Sequence, residues 1–589
     1  MSTGGIDGYQ RRVGTGLLLG VALVFAVLVA RLVHINTALA SRLRTVVERQ
    51  HTGRMPIPAR RGLVFDTRGR VVAGSEELPT LFADPLLVED LPASAAKVAS
   101  VLNMIPGEVE DLIRHSEAPR FCRLKRRAST AEAEAVRALG LRGFETFDES
   151  VRRYPLGSTM AHVLGFVGTD GTGLAGIELR YNQHLRGRDG QISSIRDVRR
   201  RAIWRLEDGT AAATDGGHLM LTVDSVIQRI VEEQLAGRIE TFRAESGVAL
   251  VMSPKTGDVL AMACHPTFDP GDYTSYPEKL WRNRAVIDPV EPGSTMKPII
   301  AGGALAAGHV SLTETIFCHN GAYVLPGRVV RDTKPHGDLD FEGIIVKSSN
   351  IGMAIIGQRA GNPALYEIVR RFGFGSPTEV GFPGEAGGIV RALPQWNSLT
   401  TTSVPMGYEI GVTPLQLAAA YCAIVNRGVL LRPRLVRALL ASDGTPLAVF
   451  EGAEPVRRVL PEEVARYMTE TVLVGVVNRR GEIEPSDYPM LGKTGTSKLT
   501  CPGRRGYVPG AYLSVFVGAA PADDPQIVVL VMIRRPDVAL GYYGRTVSMP
   551  VVRRIIDMTL AYLESPPRRR AANQHLREER SAACGPARR

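Results

Sequence analysis

The stretch Glu291-Pro292-Gly293-Ser294-Thr295-Met296-Lys297, followed by Ser348-Ser349-Asn350 and then by Lys493-Thr494-Gly495-Thr496, decides how this chain is read. In the first segment a hydroxyl stands three residues before an amine. On a helix that spacing puts both groups on one face, close enough for the amine to take a proton as the oxygen attacks a carbonyl. Ser294 is the expected nucleophile and Lys297 its base. Pro292 and Gly293 end the preceding loop, and Pro298 is acceptable in a first helical turn, whose amides have no internal acceptor to lose. The positive helix end lowers the cost of an alkoxide there, and the Ser294 amide can donate to a developing oxyanion.

Lysine usage points to the same residues. Of 71 Lys and Arg residues only nine are lysine: 97, 125, 255, 279, 297, 334, 347, 493 and 498. Arginine cannot give up its proton in a protein, whereas a desolvated lysine can act as a base. Lysines at 297, 347, 493 and 498, beside the three motifs, read as selected for chemistry.

The ordered set SxxK, SxN, KTG resembles the signature of penicillin-binding proteins and serine β-lactamases. Joint order matters because each motif has a decoy. Ser94 and Lys97 repeat SxxK in an Ala-rich stretch that reads as a surface helix, and Lys255-Thr256-Gly257 repeats KTG in a turn between the apolar runs 247–252 and 259–263. Upstream, Arg61-Gly62-Leu63-Val64-Phe65-Asp66 with Arg68 and Gly69 resembles the first box of class B penicillin-binding proteins, Thr67 replacing its usual arginine. Arg152, Tyr154, Pro155 and Gly157, then Gly173, Gly176, Ile177 and Glu178, resemble its second and third boxes, and Leu221-Thr222-Val223-Asp224 with Gln228 resembles the start of the penicillin-binding domain.

The resemblance implies an α+β fold: a small N-terminal pedestal or dimerisation-type domain at about 55–215, then at about 216–563 a transpeptidase domain with an antiparallel sheet flanked by helices. No room remains for the glycosyltransferase domain of the bifunctional class A type. The KTG segment is expected on a strand edge, along which an extended peptide can add by main-chain hydrogen bonds.

Before these domains, Val13–Ala30 is an uncharged, mostly apolar run of 18 residues that Leu32 and Val33 extend. It gives a helix of roughly 30 Å, long enough to span a bilayer core. Residues 13–33 are therefore read as a single anchor and 1–12 as a cytoplasmic tail, with the catalytic domain on the extracytoplasmic, periplasmic side of the inner membrane. Cleavage after Ala38-Leu39-Ala40 as a signal peptide is the alternative, but the apolar run exceeds the usual length of such a signal. The end of the chain, 564–589, carries seven arginines against two glutamates after Pro566-Pro567 and reads as a disordered basic tail.

Other function classes lack support. A net charge of +11 permits an anionic surface as partner, but no nucleic-acid motif accompanies it. The six cysteines define no disulfide framework or zinc site, and without HExxH or an EF-hand carboxylate pattern no metal or cofactor is expected. Cys264-His265 and Cys318-His319 look like nucleophile and base pairs, but neighbours on a strand face opposite ways. Gly171, Gly173 and Gly176 spell GxGxxG between a strand-like run, 162–168, and a helix-like run, 177–185, without the alternating strands and helices a dinucleotide domain needs. A P-loop at 492–494 would need glycine at 487, where Asp487 stands.

The resemblance further implies peptidoglycan stem peptides ending in D-Ala-D-Ala as substrate and β-lactams as acylating inhibitors. Ser348 would relay protons to the leaving amine, Asn350 would hold Lys297 and the substrate amide, and Lys493 would keep the site positive. Thr494, Gly495 and Thr496 would bind substrate, with the two threonines at the terminal carboxylate and the Thr496 amide as second oxyanion donor. Met406-Gly407-Tyr408, Val412–Ala418 and Tyr542-Tyr543-Gly544 look more like the cell-division (FtsI) type than the elongation type. A multi-span lipid II polymerase and other division proteins would be partners. The alternatives are an elongation transpeptidase; a β-lactamase, disfavoured by the missing ExxLN motif; a β-lactam sensor; and a non-catalytic division scaffold.

Overall fold

The computed structural model describes residues 4–37, 52–196, 202–478, 488–501, 503 and 506–564. Two compact units are distinguished, residues 1–60 with 187–215, and residues 61–186 with 216–589. In the first, the apolar run lies on a helix, Gly4–Thr37, with no charge between Val13 and Ala30. It is the one helix among the described residues long and apolar enough to cross a membrane. Most of the expected tail 1–12 is helical and continuous with the apolar run, because no proline separates Gly4 from Val13. The same unit holds a three-stranded antiparallel sheet, Thr52–Ile57, Gly190–Arg196 and Ala202–Ala211. The candidate cleavage site 38–40 and the basic tail 565–589 lie outside the described residues.

The second unit is built on a five-stranded antiparallel sheet in the spatial order Val259–His265, Ser246–Met252, Ile527–Arg534, Tyr507–Ala520, Leu491–Thr500. Strands Ser246–Met252 and Ile527–Ile533 are buried on both faces, which is why they read as unbroken apolar runs. One face packs on helices Ser225–Thr241 and Met549–Tyr562 through Ile227, Val231, Val251, Val529, Phe516 and Ile555. The other packs on the core containing helices Lys297–Ala306 and Pro414–Val425. The KTG strand, Leu491–Thr500, is an edge of this sheet.

A second sheet of seven strands joins early and late sequence: Pro446–Val449, Val436–Leu440, His218–Leu221, Val64–Phe65, Val71–Ala83 and Cys122–Lys125 are neighbours in that order, and Phe144–Arg153 also pairs with Val71–Ala83. The three upstream boxes meet beside it. Glu178, fully buried, accepts from Arg61 at 2.7 Å and from Arg152 at 2.6 Å. Such a buried ionic cluster adds little net stability yet is costly to break, and it fixes how its segments pack. Asp66, also buried, accepts from the hydroxyl of Ser225 at 2.6 Å and from the amides of Arg68 and Arg70, tying the first box to the start of helix Ser225–Thr241.

One sequence expectation changes. The strand-like run 162–168 overlaps a short helix, Ala161–Leu164, whose His162 donates from Nε2 to Leu280 O at 2.8 Å; a short apolar run does not by itself separate helix from strand. The GxGxxG glycines serve packing: a Cβ on Gly176 would stand 2.7 Å from the Leu164 carbonyl oxygen, and one on Gly173 2.0 Å from that of Glu178.

Candidate active site

The SxxK turn begins before the helix proper. Gly293–Met296 forms a 3-10 turn and the α-helix starts at Lys297. Gly293 adopts φ 56°, which glycine takes without strain, and its amide donates to Gly407 O at 3.1 Å. A Cβ on Gly407 would lie 2.1 Å from Gly293 O, so glycine at both positions permits this close passage. The Lys297 amide donates to Ser294 O, and the Thr295 hydroxyl to Pro292 O at 2.7 Å. Ser294 is left half-buried at the surface of the turn while Lys297 is fully enclosed.

The SxN motif, from distant sequence, meets that lysine, and the KTG lysine joins them through Ser348. The Lys297 amine donates to Ser348 O at 2.7 Å, to Asn350 Oδ1 at 2.8 Å and to Ser348 Oγ at 3.2 Å. Lys493, 1% exposed, donates to the same Ser348 Oγ at 3.2 Å and to Thr494 O at 3.1 Å. One hydroxyl thus bridges two amines. Ser348 takes φ 60°, a left-handed conformation uncommon for a residue with a Cβ, and the strain is held by the helix that starts beside it, Asn350–Arg371. Burial lowers the Lys297 pKa from 10.5 to about 7 against the opposing attraction of Asp332. A sizeable neutral fraction is therefore present at neutral pH, the form able to accept a proton.

The KTG strand closes the other wall. A Cβ on Gly495 would come 2.9 Å from Thr295 Cγ2, so the strand lies directly on the SxxK turn only because residue 495 has no side chain. A Cβ on Gly293 would stand 3.4 Å from Thr496 O, which brings Thr496 next to the turn bearing Ser294. Thr494 and Thr496 are half-buried. The Tyr542-Tyr543-Gly544 segment reaches the same strand: Gly544 N donates to Thr496 Oγ1 at 3.1 Å. All eight expected site residues, 294, 297, 348, 350 and 493–496, are brought into this one region.

The decoys fall elsewhere. Lys97 is exposed on helix Leu91–Leu102, while Ser94, expected on a surface, is buried with its hydroxyl on Glu89 O at 2.8 Å. Lys255 is exposed in the hairpin turn and pairs with Asp524 at 2.9 Å. Cys264 and His265 occupy a strand as expected, but Cys318 precedes a 3-10 turn, His319–Gly321, and is buried against Ser349. Among the described residues no group of three His, Cys, Asp or Glu is arranged to hold a metal ion.

The motifs leave out Asp332, which the structure brings to the site. Its carboxylate accepts from the Ser349 hydroxyl at 2.6 Å and from the amides of Asn350 and Ile351, so it caps the helix that carries the SxN motif. No spacing signal marks it, since it lies 16 residues before Ser348 on a separate hairpin. Glu291 precedes the SxxK turn without belonging to any of the three motifs. Its side chain accepts from Glu409 N at 3.0 Å and its carbonyl from the Ser497 hydroxyl at 2.9 Å, which staples the SxxK turn to both flanking walls.

Comparison with known proteins matches residues 247–557 to the family model for the penicillin binding protein transpeptidase domain and residues 56–221 to that for the penicillin-binding protein dimerisation domain. The chain is 32% identical over 559 residues, 94% of its length and 93% of the relative, to a protein from Neisseria meningitidis named probable peptidoglycan D,D-transpeptidase PenA. It is 31% identical to the peptidoglycan D,D-transpeptidase FtsI of Escherichia coli K12, covering 86% of this chain and 84% of that one. Among solved structures it is similar to penicillin binding protein 3 of Mycobacterium tuberculosis complexed with aztreonam, with TM-score 0.67, 28% identity and coverage of 87% and 98%.

Proposed function

The chain belongs to the penicillin-binding protein transpeptidases, and from that premise we propose that it cross-links peptidoglycan stem peptides during septal wall synthesis through an acyl-enzyme on Ser294. The observation that carries the reading is the buried amine of Lys297, pKa about 7, one helical turn from Ser294 and bonded to both Ser348 and Asn350.

Neutral Lys297 takes the Ser294 proton as the oxygen attacks the penultimate D-Ala carbonyl. The amides of Ser294 and Thr496 receive the negative charge on the carbonyl oxygen. As the tetrahedral intermediate collapses, the bond to the terminal D-Ala breaks and its nitrogen takes a proton through Ser348, whose hydroxyl touches both Lys297 and Lys493. Asn350 orients the lysine and the substrate amide, and Lys493 with Thr494, Gly495 and Thr496 holds the terminal carboxylate while the peptide lies along the edge strand. The amine of a second stem then attacks the ester and restores Ser294. A penicillin acylates the same serine but leaves no departing amine.

The functional division of the chain is residues 13–33 as anchor, 55–215 as pedestal and 216–563 as transpeptidase, with the catalytic part extracytoplasmic. A multi-span lipid II polymerase and other division proteins are the partners. The test is release of D-Ala and formation of cross-linked dimer from nascent glycan strands by the purified chain, with Ser294→Ala as control; turnover by that variant defeats the site assignment. A fluorescent fusion that follows the lateral wall and not the septum would favour the elongation role instead.

A further inference from the structure

The 3-10 turn that presents Ser294 has a gap in its own backbone ladder. In a 3-10 turn each carbonyl accepts from the amide three residues on. Ser294 O is served in this way by the amide of Lys297. Thr295 O would be served by residue 298, which is proline and has no N–H. The α-helix begins only at Lys297, so this carbonyl lies ahead of the first α-helical residue. It sits between the nucleophile and the base, and Thr295 itself is fully buried.

The missing donor comes from another helix. The hydroxyl of Tyr421, on helix Pro414–Val425, donates to Thr295 O at 2.7 Å. Tyr421 is 1% exposed and ranks among the largest fully buried side chains, and burial keeps its phenol protonated. Its helix is itself rigidly placed. Thr413 and Gln416 form a reciprocal capping box at its start, and Gln416 also donates to Ser376 O and Gly387 O at 2.8 Å each. A tyrosine in such a core needs a partner for its hydroxyl, and a carbonyl left without its backbone donor needs one equally. Each satisfies the other across 126 residues of sequence.

We propose that Tyr421 is a positioning residue for the acyl-transfer reaction: its hydroxyl substitutes for the amide that Pro298 lacks and fixes the Ser294–Lys297 turn in reacting geometry. Tyr421 touches neither substrate nor the reacting atoms. It acts through the Thr295 peptide unit, which joins Thr295 to Met296 within the turn. The proposal rests on the assignment of Ser294 and Lys297 as nucleophile and base.

The test is Tyr421→Phe in the full-length chain purified in detergent, acylated with a fluorescent penicillin over a range of concentrations. Three quantities are read: the limiting acylation rate constant, the half-saturating concentration and the final labelled fraction. A displaced turn slows the covalent step, so the limiting rate should fall about tenfold while the half-saturating concentration stays unchanged. The labelled fraction reports how much protein is folded, so the rate is read on the folded population even when the yield falls. Adding Pro298→Ala to Tyr421→Phe supplies an amide at residue 298 and should restore part of the rate. An unchanged limiting rate in Tyr421→Phe overturns the proposal. So does a lower labelled fraction with an unchanged rate, or a double variant no faster than the single one. Ser294→Ala run alongside separates the two failures: labelling of that variant defeats the nucleophile assignment itself, whereas absence of labelling leaves the role of Tyr421 to be decided by the rate.

Discussion

Lys255 and Lys493 both open a Lys-Thr-Gly triplet, and their surroundings have almost nothing in common. Lys255 stands in a hairpin turn and reaches through solvent to Asp524. Lys493 lies on an edge strand, 1% exposed, with its amine on the hydroxyl of Ser348. The two SxxK copies repeat the contrast, with Lys97 exposed and Lys297 enclosed. Identical letters become different chemistry because water removes most of the interaction energy of an exposed charge, while an enclosed amine is governed by the few groups around it.

The sharpest way to break this comparison is to substitute the matched pairs. Ser294→Ala should abolish covalent penicillin labelling, and Lys297→Arg should reduce its rate by about 10²- to 10⁴-fold, since arginine keeps the charge but cannot accept the proton. Ser94→Ala and Lys97→Arg should label like the parent. Labelling rates that respond equally at both sites, followed by gel fluorescence, would show that burial is not what distinguishes them.

The next effect is on pH. With the Lys297 pKa lowered to about 7, the neutral base is lost as pH falls through that value, so the acylation rate should drop about tenfold per unit below it and level off above. Asp332→Asn removes the attraction that favours the charged amine, so the midpoint should move to lower pH. The same change replaces a carboxylate that caps the SxN helix, and a loss of about 1 kcal/mol in unfolding free energy should accompany it. A midpoint that stays put or moves upward in stopped-flow acylation would show that Asp332 does not act on the lysine.

Smaller effects belong to the exposed partner of the comparison. Lys255→Ala breaks a surface ion pair and should change stability by no more than about 1 kcal/mol in denaturant titration, with acylation untouched. Deleting residues 565–589 should leave acylation of the purified chain as it was; a loss would show that the tail supports the catalytic domain.

Much of the molecule was legible in its residues. The long N-terminal helix follows from uninterrupted apolar length, and the central strands from apolar runs bounded by turn residues such as Pro254 and Gly257. The edge position of the KTG strand also agrees with the structure, whereas Ser294, expected to open the helix, lies in a 3-10 turn three residues ahead of its first α-helical residue. Short segments resisted, as 161–164 shows, because a run of a few apolar residues carries no period long enough to separate helix from strand.

The sequence by itself determined which functional groups exist and how they are spaced along one element, because spacing within a helix or strand is fixed by local geometry. It pointed to Ser294 and Lys297 through their spacing, and to Ser348, Asn350 and Lys493 through the resemblance of the ordered motifs to a known signature. Only the tertiary structure decided that Lys297 is enclosed, that Ser348 is held at φ 60° between two amines, and that Asp332 and Tyr421 serve the motifs from distant segments. Desolvation and hydrogen-bond partnership depend on what packs around a group, and those neighbours come from parts of the chain that no local pattern links.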